Sequence, residues 1–211
     1  MPRSPADPVT VRRVPHGPRL HLLNTFLRRP ATTGAVAPSS VGLARRLAAV
    51  VPQRPGAIVV ELGPGTGSVS DVIDARLPAG GRHIAVELDP AMVGYLRRTH
   101  PDLEVVHGDA RDLRALLAAR GVDHVDAVVC GLPWALFDDA TQHAVLAEVG
   151  RVIGPDGAFT TFAYSHGMII PAARRFRATL RDRFSEVLVG ATVWANLPPA
   201  FVYECRNPMS A

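Results

Sequence analysis

Residues 61–70 read ELGPGTGSVS and place three glycines in five positions, directly after the apolar run AIVV of residues 57–60. Glycine is used where a chain must take φ > 0 or where a ligand must come close to the main chain. The order here is apolar strand, acid, glycine turn and then the helix-like SVSDVIDARL of residues 68–77. That order opens a nucleotide-binding βαβ unit. It commits the chain to a parallel sheet, with the ligand at the carboxyl ends of the strands.

The rest of the chain alternates as such a sheet requires. HIAVELD (83–89), LEVVHGD (103–109), VDAVVCGLPW (125–134) and AFTTFAY (158–164) read as strands, the fourth running into a loop. Between them, AMVGYLRRTH (91–100), LRALLAAR (113–120) and residues 138–151 read as helices, as do VGLARRLAAVV (41–51) before the first strand and residues 171–183 after the fifth. Ser39 or Ser40 can cap the helix at 41, while Pro90 can start the one at 91 and Pro101 ends it. The chain closes on SEVLVGATVW (185–194) and AFVYECR (200–206), two strands joined by ANLPP. These form a hairpin, so one strand is antiparallel to an otherwise parallel sheet. The expectation is a doubly wound α/β domain over residues 41–211, with a seven-stranded, mostly parallel sheet.

Residues 1–40 stand apart. Residues 1–18 are rich in proline and arginine, and RLHLLNTFLRR (19–29) puts Leu20, Leu23, Phe26 and Leu27 on one helical face beside Arg19, Arg28 and Arg29. Such a helix caps an active site as packed structure, or lies on an anionic membrane surface. The 211 residues include 23 basic ones, all arginine, with a net charge of +4 and a pI near 9.8. That balance favours an anionic partner. Two distant cysteines and the absence of paired histidines lead us to expect no metal and a reducing compartment. No apolar run approaches the ~18 residues of a spanning helix. A cytoplasmic protein is expected, peripheral at the inner membrane face if residues 19–29 bind it.

Two cofactors compete for the glycine turn. The dinucleotide fingerprint is G-x-G-x-x-G, but Gly63, Gly65 and Gly67 give G-x-G-x-G, and Pro64 lacks an amide for a pyrophosphate. The E-x-G-x-G-x-G form resembles motif I of the class I S-adenosylmethionine-dependent methyltransferases, which share a Rossmann-like fold. Glu87 at the end of strand two, Asp109 at the end of strand three and RVIGPDG (151–157) stand where that family needs them. The resemblance implies that Glu87 takes the ribose hydroxyls and Asp109 the adenine amine, with Leu88 and Ala110 beside them. It further implies that Glu61 and the turn from Gly63 through Gly65 to Gly67 hold the methionine portion, and that Cys130 and Gly131 line the floor.

The loop after strand four bears on the acceptor. In rRNA adenine dimethylases it reads Asn or Asp, any residue, Pro and an aromatic. Here Pro133 and Trp134 fit, but Gly131 has no side chain to hold an adenine amine, which argues against a nucleic-acid base. FLRRPATTGAVAPSS (26–40), CGLPW (130–134) and VWANLPPAFVYECRNP (193–208) resemble instead the bacterial phospholipid N-methyltransferases. Those enzymes methylate the amine of phosphatidylethanolamine. The resemblance implies a lipid acceptor seated by Leu132, Pro133 and Trp134; a soluble small molecule is the alternative acceptor. Trp134 either meets a methylated ammonium through its ring or packs against the cofactor. An amine must be neutral to attack, so a group must accept its proton; Tyr164 and His166 in FAYSHG are the candidates, against a core-edge tyrosine and a loop histidine. Trp194 and Asn196 fall in the hairpin and at the pocket rim.

Overall fold

The computed structural model describes residues 39–165 and 171–209. Residues 19–29, with their amphipathic pattern, and His166 lie outside the described residues. Seven strands form one sheet: β1 (Ile58–Leu62), β2 (Arg82–Glu87), β3 (Glu104–His107), β4 (Val125–Cys130), β5 (Ile153–Tyr164), β6 (Phe184–Val189) and β7 (Ala200–Pro208). Their spatial order is β3-β2-β1-β4-β5-β7-β6. The first five are parallel, and β7 runs antiparallel to both β5 and β6. This is the doubly wound order expected from the sequence, with its C-terminal hairpin folded back so that β7 lies inside and β6 forms the edge.

Alternation along the strands assigns each face. Val60, Leu62, Ile84, Val86 and Val128 enter a large core with α4 (Leu113–Ala118), α5 (Asp139–Val152) and α6 (Pro171–Arg181). Val59, Ala127 and Val129 face a second cluster built with α1 (Val41–Leu47) and α2 (Ser70–Arg76), while Ala85 meets Val93 and Leu96 of α3 (Pro90–Thr99). Both faces are thereby covered, which a parallel sheet requires. The strand order reverses between β1 and β4, and the crevice at such a reversal is where this architecture takes ligands.

Local chemistry sets the element ends. Ser40 caps α1, its hydroxyl accepting from Leu43 N, and Asp89 and Asp138 cap α3 and α5. Several boundaries differ from the sequence reading: β5 already begins at Ile153, ahead of the expected 158, and α1 ends at Leu47, passing into a 3-10 turn over Ala48–Val50. Helix α2 begins at Ser70, not residue 68, because the chain is still turning through Gly67, whose φ is 88°. Strand β6 ends at Val189; Gly190 N donates to Val202 O and the chain leaves the sheet, touching it again only in the Val193–Ala200 bridge. Among the described residues, no helix is long and apolar enough to cross a membrane.

Candidate functional site

The loops after β1, β2, β3 and β4 are stitched into one row by backbone hydrogen bonds just past the strand ends. Gly63 N donates to Val86 O (3.0 Å), Gly108 N to Glu87 O (3.0 Å) and Gly131 N to Leu62 O (2.8 Å). In the first loop Gly63, Gly65 and Gly67 all take positive φ, at 68°, 57° and 88°. L-residues rarely adopt that conformation, so the three glycines are required by the turn itself.

Glu87 is buried, and its two carboxylate oxygens differ. Oε1 accepts from Asp89 N at 2.9 Å, whereas Oε2 is shut from solvent without a hydrogen-bond partner. Burial pushes its pKa up, and the backbone amides of Asp89, Leu88 and Gly65 pull against that. A buried acceptor without a donor is costly, so this site fits a ligand that brings hydroxyl donors. A ribose would bring two, and the glycine turn next to it is open at Gly65, where a Cβ would meet nothing within 4 Å. Leu88, half-buried, follows directly, and its carbonyl pairs with His107 Nε2 at 3.1 Å.

Asp109 is bound to Arg111 in a fork. Arg111 Nε lies 3.1 and 3.0 Å from the two carboxylate oxygens, and Arg111 also donates through its backbone N and a terminal guanidinium nitrogen. An adenine amine at Asp109 would therefore share the carboxylate with Arg111. Ala110 packs against the large core at the start of the next turn.

Glu61 belongs to a buried polar chain that the sequence did not reveal. Ser70 Oγ donates to Glu61 Oε2 at 2.6 Å. His83 Nε2 lies 3.3 Å from the same oxygen, near enough for ionic attraction without hydrogen-bond alignment, and His83 Nδ1 is 2.7 Å from Asp74 Oδ1. Burial works against a charge on His83, but the hydrogen bond to Asp74 and the contact with Glu61 outweigh it and raise its pKa to about 9. The imidazolium thus sits beside the buried foot of the glycine turn at neutral pH, between carboxylates from β1 and α2. The pattern was readable in part: residues 83, 85 and 87 share one face of β2, so His83 and Glu87 point to the same side of the sheet.

Past β4, Cys130 is fully buried, and burial pushes its thiol up to about 12, so it serves as an apolar wall and not as a nucleophile. Gly131 is sterically obligatory. A Cβ there would lie 2.7 Å from Gly63 O, against backbone that has little room to move. Leu132 covers the glycine turn at Gly63, where a Cβ would lie 2.8 Å from Leu132 Cδ2. Pro133 is half-buried and leads into a 3-10 turn from Trp134 to Leu136.

Trp134 is a core side chain. Its indole N–H donates to Thr161 Oγ1 at 2.6 Å, and its ring packs among Phe137, Phe159 and Phe176 at centroid distances of 5.9, 6.5 and 4.8 Å. Only 5 % of the residue is exposed, so the structure gives the ring to packing in place of contact with a methylated ammonium. Gln142 Nε2 donates to Trp134 O and Thr161 Oγ1 donates to Cys130 O, which anchors the whole 130–134 loop to α5 and β5. Tyr164 closes β5 half-buried, edge-on to Phe162 at 5.4 Å. Burial pushes its phenol up to about 12, so at neutral pH it carries its proton and can offer a hydrogen bond but not a phenolate base. Asn196 is buried and accepts from Ser40 N at 2.9 Å, while its neighbour Trp194 stands out in solvent. Among the described residues no group of His, Cys, Asp and Glu could hold a metal ion.

The Gly131 geometry has a testable consequence. Gly131→Asn, which installs the amide of the adenine methylases, is expected to destabilise the fold by about 1–3 kcal/mol, the range for overpacking. Cofactor affinity should fall with it, because Gly63 must move. Chemical denaturation and calorimetric titration would measure both, and an unperturbed variant would show that the β1 and β4 loops can separate.

Residues 59–157 match the family described as "Methyltransferase domain". An ornithine lipid N-methyltransferase of Singulisphaera acidiphila is 34% identical over 188 residues, spanning 88% of this chain and 94% of that protein. Ribosomal RNA small subunit methyltransferase A of Geobacter metallireducens is 42% identical over 81 residues, but this covers 36% of the chain and 28% of that protein. Among solved structures, a TehB-like SAM-dependent methyltransferase from Corynebacterium glutamicum superposes with a TM-score of 0.56 at 16% identity, covering 90% of this chain and 97% of that one.

Proposed function

Since the chain belongs to the S-adenosylmethionine-dependent methyltransferases, we propose that it methylates the amine of a lipid headgroup at a membrane surface. The observation carrying this reading is the near full-length similarity to a protein named for lipid N-methylation, where the similarity to the rRNA enzymes stops within a third or so of the chain. Two acceptors of this class are phosphatidylethanolamine and an ornithine lipid, both of which present an amine above acyl chains. The obligatory Gly131 supports it too, because no amide can stand there for an adenine base.

Under this reading the donor side is held by strand ends. Glu87 accepts from the ribose hydroxyls through its unfilled Oε2, and Asp109 takes the adenine amine while sharing its carboxylate with Arg111. Leu88 and Ala110 flank the adenosine, and Glu61 with the Gly63, Gly65 and Gly67 turn receives the methionine portion. Cys130 and Gly131 form the floor, and Leu132 and Pro133 form the wall against which the acceptor lies. The cofactor supplies, when bound, a methyl group on a positively charged sulfur with its own leaving group. The protein therefore has to place an uncharged amine in line, ~3 Å from that methyl, and exclude water. Tyr164 offers a hydrogen bond at the acceptor end of β5, and the proton leaves through His166 or solvent.

The test is transfer of radiolabelled methyl to four acceptors: phosphatidylethanolamine vesicles, ornithine lipid vesicles, total RNA and a panel of soluble amines and phenols. Label is expected in the organic phase, on a mono-, di- or trimethylated headgroup. Label confined to a soluble amine or phenol would replace the lipid reading with a tailoring activity, and label in RNA would overturn it.

A further inference from the structure

The largest exposed apolar side chains of the described residues include Trp194, Leu197 and Val41, at 77 %, 74 % and 62 % exposure. They belong to one surface. Ser40 N donates to Asn196 Oδ1, and a Cβ on Gly42 would lie 3.2 Å from Val193 Cγ1, so the start of α1 is clamped against the 193–197 loop. Val41, Trp194 and Leu197 each sit beside one of these touching residues. The loop is itself rigidly held: Asn196 Nδ2 donates to Pro198 O at 2.7 Å, Val193 N to Ala200 O at 2.6 Å, and Arg46 reaches Ala191 O at 2.9 Å. A fixed loop that holds a tryptophan and a leucine in water is displaying them.

Position and charge indicate what they meet. The loop joins the sheet at Ala200, which pairs with Tyr164 at the carboxyl end of β5, and Ser165 N donates to Pro199 O. The patch therefore borders the edge of the sheet where an acceptor enters. Its two contributing stretches, residues 39–51 and 187–203, carry Arg45 and Arg46 and no acidic residue. Apolar side chains that reach outward, a tryptophan among them, with arginines alongside and no acid between, match the interface of an anionic bilayer: indole and leucine at the acyl boundary, guanidinium groups at the headgroup phosphates.

We propose that Val41, Trp194 and Leu197 are the element that seats this protein on an anionic membrane, with the crevice between β1 and β4 facing the lipid. The proposal rests on the lipid-acceptor reading above and adds the surface through which that lipid is reached.

Vesicles of phosphatidylglycerol and phosphatidylcholine with brominated acyl chains test it on the full chain. Trp134 is buried in the core, so Trp194 is the tryptophan that lipid can reach. Vesicles are expected to shift the emission to the blue and quench it, and W194F should lose the quenching. The double substitution W194A/L197S is expected to weaken vesicle binding about tenfold or more, since it removes two apolar anchors. Its affinity for S-adenosylmethionine should be unchanged. Quenching absent from the wild type, or vesicle affinity of the double variant within about twofold of it, would overturn the proposal. Shielding of Trp194 from acrylamide before vesicles are added would also overturn it, because another part of the chain or a second copy would then occupy the patch. Methyl transfer to amine lipids in detergent micelles separates the two readings. A double variant active in micelles and impaired on vesicles supports the docking surface. A wild type inactive on amine lipids in both removes the lipid-acceptor reading, whatever the vesicles show.

Discussion

Replacing His83 with alanine is expected to cost about 3–5 kcal/mol of folding stability, the range for removing one partner of a buried ion pair. The side chain is almost wholly enclosed and lies between Glu61 and Asp74, with Ser70 on the far side of Glu61. Its loss leaves the buried Glu61 carboxylate with one hydroxyl donor and no counter-charge. The wild type should also show a pH signature. The folded-state pKa is raised to about 9 from 6.5, so the stability it contributes is fully present below pH 6.5 and is lost as the pH rises through about 9. Urea denaturation from pH 6 to pH 9.5 should show that decline in the wild type and a flatter profile in His83→Ala. A wild-type profile that stays level across this range would mean that the imidazole is neutral in the folded protein.

Glu87→Ala should weaken S-adenosylmethionine binding by about 1.5–3 kcal/mol, the range for a hydrogen bond to a charged group. That is roughly a 10- to 150-fold rise in Kd. Folding stability should change little, because relief of the unpartnered Oε2 is offset by the Asp89 N–H left without its acceptor. Oε2 lacks a donor in this structure, and burial already disfavours the charge. A loss of affinity without a matching loss of stability distinguishes a ligand-receiving carboxylate from a structural one. Calorimetric titration giving an unchanged affinity would sink the ribose assignment.

The sheet was legible because its signals are local. The apolar runs, the glycine turn and the strand-end acids are each readable within ten residues, and their order implied the topology, including the returning β7. What sequence could not supply was partnership across the chain. Nothing near residue 83 announces Asp74 and Glu61, because the three meet only when α2 lies down on β1 and β2. Trp134 was open to a binding role for the same reason. Its core contacts come from Phe159 and Phe176, and its N–H partner is Thr161, 27 residues away. The expected sixth strand, 185–194, reads as continuously β-prone. The strand stops at Val189 because Gly190 pairs with Val202 and the chain then needs room to return. Arg111 closing on Asp109 is a further case: a neighbour two residues away, but one whose fork geometry depends on the turn between them.

The close approach of Gly131 to Gly63 O separates the enzyme into two regions with unequal freedom to evolve. Where β1 and β4 part, the main chains themselves touch, so the position that other branches vary to choose a base is closed to selection here. Anyone wishing to retarget this protein gains nothing by recoding residue 131. New acceptor preferences would have to be written on the other side of Leu132, as in the 190–199 loop that leaves β6. That loop borders β7 and not the glycine turn.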